Sequence, residues 1–477
     1  MYRFHLLLLI IFSLAGTPAL AQVKTVYLSS FGAVPNDQLS DQQAFNAAAA
    51  YINGRKGKVK LIIPAGKYIV GPAKTYGSDK EKIPTGKLFD VLNLTGCSNV
   101  TIQGNGNVQI KFLDGLPFGT LPGRKNNSDS AVHIGSLIRL TNCSGITITN
   151  IKGDGNNQRF RFLNNWGVGT NPYEREHEGL FILNSKDITV RNCAFNSFGR
   201  DGALILEDRN ALPVTNVSFF NCSFDNNGRN GFSWCGGDGV RFYNCTFNYN
   251  SSKKIITNPG SGLDIEPERG AVCKNGIITK CTFRNNGGYS VISVYAASSE
   301  VLFDSCTIIG NTVYSLMCES PGFIFRNSKI AGTVLLTYDA TDESKGTRVE
   351  NCTFTDSLPK TVVYRGNYML SIQGRYIRIT NSTFDSYVVP SVYTEIRKKS
   401  RLDDPENTIF ENCVFNARFK KSTTWGKWAF LVSNTKFINC TFTTSGVADF
   451  EGMLRQSEKN IYQNKNKFIN EATRQKY

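Results

Sequence analysis

Short runs of alternating apolar and polar residues recur along this chain, and many end on the same few letters. "ITVRNC", "VSFFNC" and "VRFYNC" are three of them. Apolar residues at every second position predict a β-strand with one buried face. The ending returns as "NCSGITI" at 142, "NCAF" at 192, "NCSF" at 221, "NCTF" at 244, "KCTF" at 280, "SCTI" at 305, "NSKI" at 327, "NCTF" at 351, "NSTF" at 381, "NCVF" at 412 and "NCTF" at 439, with "GCSNVTI" at 96 as an earlier copy. From position 192 the copies lie 22 to 36 residues apart, and Asn and Gly follow them, as in "FDNNGRNG" and "FRNNGG". Short strands separated by turns at this period predict a parallel β-solenoid, in which each repeat is one coil of about three strands. Coils would stack at the spacing of neighbouring strands, about 4.8 Å. The leucine-and-asparagine consensus of leucine-rich repeats is missing, and no long amphipathic segments suggest a helical array.

The solenoid changes how the cysteines read. Ten of the thirteen occupy the repeat position, which stacking turns into an inward ladder. A free thiol behaves there as a small buried hydrophobe. Same-face neighbours on stacked strands hold their Cβ atoms about 4.8 Å apart, wider than the roughly 3.8 Å of a relaxed disulfide. The Asn before each Cys is read as a turn residue bonding along the stack, so the "NCS" and "NCT" sequons are expected to be structural.

The first residues, "MYRFHLLLLIIFSLAGTPALAQ", combine a positive head, a short apolar run and a small-residue cleavage site before Gln22. Residues 1–21 are therefore expected to be a signal peptide, with the mature protein secreted or periplasmic and without a transmembrane segment. The formal net charge is +16. In an exported protein this suggests an acidic polysaccharide rather than nucleic acid, or simply Lys and Arg spread over a large surface. His133 and His177 are the only histidines after the leader. That excludes a multi-histidine metal site and narrows the acid–base menu to carboxylates, Lys, Arg and Tyr.

Residues 22–72 form an N-terminal unit. Ser40 or Asp41 is placed to cap a helix from Gln42 to about Asn53, "VKLIIP" reads as a buried strand, and "PAGKY" as a turn. A helix laid over the first coil would shield its open end. "FGAVPND…SDQQAFNAAAAYI…KVKLIIPAGKYIVG", followed by stacked coils, resembles the pectate lyase superfamily, and most closely its polygalacturonase-like and rhamnogalacturonase-like branch. That resemblance implies a right-handed parallel β-helix and polysaccharide substrates. The expected fold class is all-β: a single right-handed parallel β-helix over residues 73–445 behind the capping helix, with residues 446–477 as a C-terminal cap or tail and the chain a monomer.

Two long interruptions, 112–136 and 153–177, read as loops, and long loops without their own structure tend to be functional. The second carries Phe160, Phe162, Trp166 and Tyr173. These rings can stack on sugars or glue the loop to the coil wall.

Candidate chemistry emerges when coils are aligned on the glycine that opens one strand: "HEGLFILN" (177–184), "RDGALILED" (200–208), "RNGFSWCGG" (229–237), "SGLDIEPE" (261–268) and "YSVISVYA" (289–296). The alignment gathers His177, Glu178, Arg200, Asp201, Arg229, Asp264 and Glu266 within about 15 Å of the axis. Resemblance to polygalacturonases matches Glu178 and Asp201 to their carboxylate positions; Asn230 stands where that family has its His, and no Arg-Ile-Lys stretch is present. Glycoside hydrolysis needs one protonated and one ionised carboxyl. Asp264 and Glu266, whose Cβ atoms would lie about 6–7 Å apart on one strand face, or Asp201 with Asp264, are the candidate pairs. Arg200 and Arg229 would hold a uronate carboxylate, with His177, Trp166, Tyr173 and Tyr295 also at the substrate. A second reading puts Ca²⁺ on Asp264, Glu266 and Glu268, with Asp201 near, for a uronate lyase or epimerase. Its base would be Arg229, Arg200, Lys253 or Lys254. Each acid also has a plain reading: Glu178 and Asp201 as turn formers, Asp264 and Glu266 as a solvated strand face. The functions that follow are a glycoside hydrolase of an anionic, pectin-like glycan without a cofactor, a calcium-dependent lyase or epimerase, and a non-catalytic glycan-binding surface protein.

Overall fold

Coil stacking fixes this molecule's geometry, and the alternation read from the sequence supplies its inside and outside. The computed structural model describes residues 22–72, 86–120, 131–163, 175–310, 314–357, 368–394, 408–418, 430–432, 435–444, 454–456 and 461–471. The leader falls outside them. Among the described residues, parallel strands stack into sheets of 18, 13 and 9 strands that run along one solenoid. One turn shows the plan: Leu263–Ile265 lies in the 13-stranded sheet, Ile277–Thr279 in the 18-stranded sheet and Thr282–Arg284 in the 9-stranded sheet, and the chain then returns to pair Leu263 with Val291. Among the described residues no helix is long and apolar enough to cross a membrane.

The interior is built by like stacking on like. Phe354, Phe384, Phe415 and Phe442 form one buried ring column with centroid separations of 4.6, 4.8 and 5.0 Å, and the exposed Phe468 extends it at 5.1 Å. All thirteen cysteines are buried free thiols, as the ladder argument expects. The Asn preceding the repeat cysteine takes left-handed backbone angles, φ 52° at Asn192 and 53° at Asn221 and Asn244. Asparagine tolerates this conformation better than most residues. Its side chains bond in series along the outside: Asn192 to Asn150 at 3.2 Å, Asn221 to Asn192 at 3.1 Å, Asn244 to Asn221 at 2.9 Å. A second, buried series joins Asn227, Asn250 and Asn286 through 3.0 Å bonds. An amide both donates and accepts, so it can bond to a copy of itself above and below.

The helix Gln42–Asn53 packs Ala44, Phe45, Ala48, Ala49 and Ile52 against the first coil. Its N-cap is Asp41, but that carboxylate accepts from the backbone of Val34 and Ile69 instead of the helix. Ser40 Oγ accepts from Gln42 N–H. Two expectations change. The interruption at 112–136 is not structureless: Pro117–Thr120 and Ala131–His133 pair antiparallel, and with Gly86–Lys87 and Arg161–Phe162 they make a four-stranded side sheet. The solenoid also continues past residue 445, because Ile461–Asn464 and Lys467–Asn470 pair with the strands Thr435–Ile438 and Thr441–Thr444.

The glycine used to align the coils has a steric cause. A Cβ on Gly179, Gly202, Gly231 or Gly262 would sit 2.5 or 2.6 Å from the carbonyl oxygen of the next coil. Neither that oxygen nor the tightly stacked backbone can yield cheaply. Gly231→Ala is therefore expected to lower stability by about 1–3 kcal/mol, the usual cost of overpacking, in urea unfolding. An unchanged midpoint would contradict this reading of the glycine row.

Candidate active site

The register aligns the candidate residues as the sequence rows suggested. Phe181 pairs with Leu204, Leu204 with Ser233, Ser233 with Asp264 and Asp264 with Ile292. This column faces away from the core. Phe232, Trp234, Leu263 and Ile265 belong to the main core, whereas Phe181, Leu204, Leu206 and Cys235 form a separate apolar cluster outside it. Two residues before each strand runs a polar column of Asp90, Ser136, Glu178, Asp201, Asn230 and Ser261. Several of these side chains accept the backbone N–H of the equivalent residue one coil on: Asp90 Oδ1 from Ser136 at 2.9 Å, Asp201 Oδ1 from Asn230 at 3.0 Å, and Asn230 Oδ1 from Ser261 at 2.8 Å. The turn-forming and the chemical readings of Asp201 thus converge on one residue.

Asp201 is fully buried and heavily bonded. Arg229 grips it through Nε at 2.9 Å and Nη2 at 2.5 Å, and Ser233 Oγ donates to Oδ2 at 2.9 Å. Burial alone would raise its pKa, but the charge and hydrogen bonds of Arg229 outweigh burial and hold it below the usual carboxylate range. Glu178, equally buried, pairs with Arg200 Nε at 2.6 Å and accepts from Ser136 Oγ at 3.0 Å. Burial pushes it up to about 7 against the pull of Arg200.

Asp264 has the opposite environment to Asp201. It is 3% exposed and accepts one side-chain hydrogen bond, from Asn230 Nδ2 to Oδ2 at 2.9 Å. Burial pushes it up to about 8, Arg229 pulls it down, and Glu266 and Asp201 push it further up. It is therefore protonated at neutral pH while Asp201 is ionised. Carboxyls whose surroundings drive their pKa values apart are the raw material of acid–base catalysis. Glu266 lies two residues on, half-buried just past the strand, with its N–H on Trp234 O.

Several expectations need correction. Arg200 and Arg229 each pair with a buried carboxylate of the protein, Glu178 and Asp201. Glu178 and Asp201 are fully buried and held in ion pairs. His177 is fully buried, ringed by Phe112, Phe118, Phe160 and Phe198 at centroid distances of 4.7, 6.1, 5.0 and 5.1 Å, with Nδ1 accepting from Gly199 N–H. Phe160 is part of that packing rather than a sugar platform, while Lys254 lies over the ring of Phe162. Trp166 and Tyr173 fall outside the described residues. Tyr295, at 59%, is exposed on the coil after Asp264. Calcium does not fit Asp264, Glu266 and Glu268: the first is buried, the last exposed, and among the described residues no three His, Cys, Asp or Glu side chains converge as a metal-holding group. Ser136, Asn230, Ser233 and Ser261 escaped notice as site residues. Asn230 and Ser261 already stood in the pre-glycine row beside the acids, and that was the available signal.

A family model described as "Right handed beta helix region" matches residues 213–384. No curated protein sequence matches. Among solved structures, the A-module of the Azotobacter vinelandii mannuronan C-5 epimerase AlgE6 superposes with a TM-score of 0.57 at 14% identity, covering 93% of this chain and 98% of that one. The A-module of AlgE4 from the same organism gives 0.53 at 13%, covering 82% and 95%. The N-terminal fragment of bacteriophage Phi29 gene product 12 gives 0.52 at 12%, covering 93% and 71%. The chain folds as a right-handed parallel β-helix, as its repeats implied. At these identities the likeness establishes the fold alone.

The two aspartates should separate in stability measurements. Asp264 titrates near 8 when folded against a reference value of 3.8. The unfolded chain therefore releases that proton first, and the wild type loses stability as pH rises from about 4 to 8. Asp264→Asn abolishes that loss, so its stability relative to wild type should climb across this window and level off above it. Asp201→Asn leaves Arg229 buried beside a neutral group and is expected to cost about 3–5 kcal/mol at neutral pH. Urea unfolding at several pH values reads both; equal effects of the two substitutions would contradict the contrast.

Proposed function

We propose that this is an exported polysaccharide-cleaving enzyme, a glycoside hydrolase in which Asp264 is the general acid and Glu266 the partner carboxylate. The observation that supports it best is Asp264 itself: a carboxyl on the outward row of a β-helix sheet, neutral at physiological pH, with a second carboxylate two residues away. Two proteins of the same fold are mannuronan C-5 epimerases, which favours a glycan as substrate. Asp264 would donate its proton to the glycosidic oxygen as the bond to the anomeric carbon breaks. Glu266 would take a proton from the water that attacks that carbon. Two acids two residues apart, one on the strand and one just past its end, would have Cβ atoms about 6–7 Å apart if the chain stays extended, a separation that leaves space for that water and favours inversion. The choice of an acidic, pectin-like glycan rests on the net charge of +16, since Arg200 and Arg229 already have carboxylate partners.

Incubation with polygalacturonate and a panel of other glycans should release reducing ends without the ultraviolet absorbance of unsaturated uronates. Asp264→Asn should lose about 10²–10⁴-fold in kcat, the usual contribution of a general acid. Activity should fall as pH rises through about 8, where the folded acid loses its proton. Unsaturated products would indicate a lyase, and glycan binding without cleavage a binding protein. Full activity in Asp264→Asn would place the chemistry elsewhere.

A further inference from the structure

The hydrogen bonds around Asp264 have only one consistent direction. Asn230 Oδ1 accepts from the Ser261 N–H at 2.8 Å, which fixes the orientation of its amide. Its Nδ2 must then donate, and its two hydrogens go to Ser233 Oγ at 3.0 Å and Asp264 Oδ2 at 2.9 Å. Ser233 Oγ also accepts from Arg229 Nη2 at 3.2 Å, so its single proton is left for Asp201 Oδ2 at 2.9 Å. With two lone pairs and one hydrogen, the hydroxyl is saturated. Asp201 only accepts: from Nε and Nη2 of Arg229, from the Asn230 N–H and from Ser233. Every member between Arg229 and Asp264 is thereby fixed in rotamer and polarity.

We propose that Asn230 and Ser233 are positioning residues that tie Asp264 to the Arg229–Asp201 ion pair and reserve Asp264 Oδ1 as the oxygen that carries the acidic proton. Oδ2 is occupied as an acceptor from Asn230, and a carbonyl-type oxygen accepts better than a hydroxyl oxygen, which favours the proton on Oδ1. Oδ1 has no hydrogen-bond partner among the described residues, and it is not one of the sealed, unsatisfied polar atoms of the interior. The arrangement also gives a role to the asparagine that stands where polygalacturonases have histidine. A histidine could not accept from Ser261 and donate to both Ser233 and Asp264 in this geometry, because its two ring nitrogens provide too few groups.

The inference rests on Asp264 being the acid, but its readouts need no turnover, so failure of hydrolysis and failure of the network register separately. Asn230→Asp keeps the acceptor for Ser261 and replaces the donor facing Asp264 with a carboxylate oxygen. Two carboxylates sharing one site raise the pKa of one strongly. The protonated-carboxyl infrared band of Asp264, assigned by its loss in Asp264→Asn, should titrate at least one pH unit higher in Asn230→Asp than in wild type. The basic limb of the pH–rate profile should follow it. A titration unchanged within a few tenths of a unit would overturn the proposal. Neutron diffraction of the wild-type protein provides an independent readout should Asn230→Asp fail to fold: a deuteron on Asp264 Oδ1 supports the network, and a deuteron on Oδ2 or an ionised Asp264 at neutral pH overturns it.

Discussion

The close axial contact between coils at the glycine row governs this molecule. Where one coil's carbonyl lies 2.5 or 2.6 Å from the place a Cβ would occupy in the coil before it, the backbones can stack in only one register. That register puts a polar residue before each glycine directly above the next one. It also lets a side chain in one coil accept the backbone N–H of its neighbour, as Asp201 does from Asn230 and Asn230 from Ser261. The polar column is part of the scaffold, so its members are held as firmly as the strands. Backbone N–H groups at that depth need partners, and this column provides them without a further strand.

The same constraint creates the electrostatic contrast of the site. Asp201 sits in the column and is ringed by donors from the next coil, Arg229, Asn230 and Ser233, so its charge is stabilised despite complete burial. Asp264 sits in the outward strand row three positions after Ser261, where one asparagine hydrogen bond is the only side-chain donor to it among the described residues. Burial then dominates and keeps it protonated. Two coils and a change of row, from the polar column to the outward strand row, separate a charged aspartate from a neutral one. The cost of keeping Asp264 in apolar surroundings resembles the stability that enzymes commonly give up at functional sites.

Much of this was legible in the sequence. Period-two patterning and the recurring "NC" ending are enough to predict the solenoid, and the shared glycine aligns Phe181, Leu204, Ser233 and Asp264 as the structure has them. What sequence cannot supply is the partner of each charge. Arg200 and Arg229 look like free cations for a substrate until the coils stack and each meets a buried carboxylate. His177 reads as a residue at a loop end, and only packing reveals four phenylalanines around it. Ser233 looks like filler in "GFSWCGG" because its importance lies in Asp201 on the coil before and in Asn230, which links it to Asp264 on the coil after. Pattern reports which face a residue occupies; pairing between coils depends on register and loop path, which the pattern leaves undetermined.

The proposed chemistry requires Asp264 to meet the scissile bond. A crystal structure of the Asp264→Asn protein with a bound oligosaccharide tests this most directly. The glycosidic oxygen should lie within hydrogen-bond reach of the residue 264 side chain, about 2.6–3.2 Å, with Arg229 still closed on Asp201. A sugar chain bound away from this strand, or a sugar carboxylate displacing Asp201 from Arg229, would contradict it.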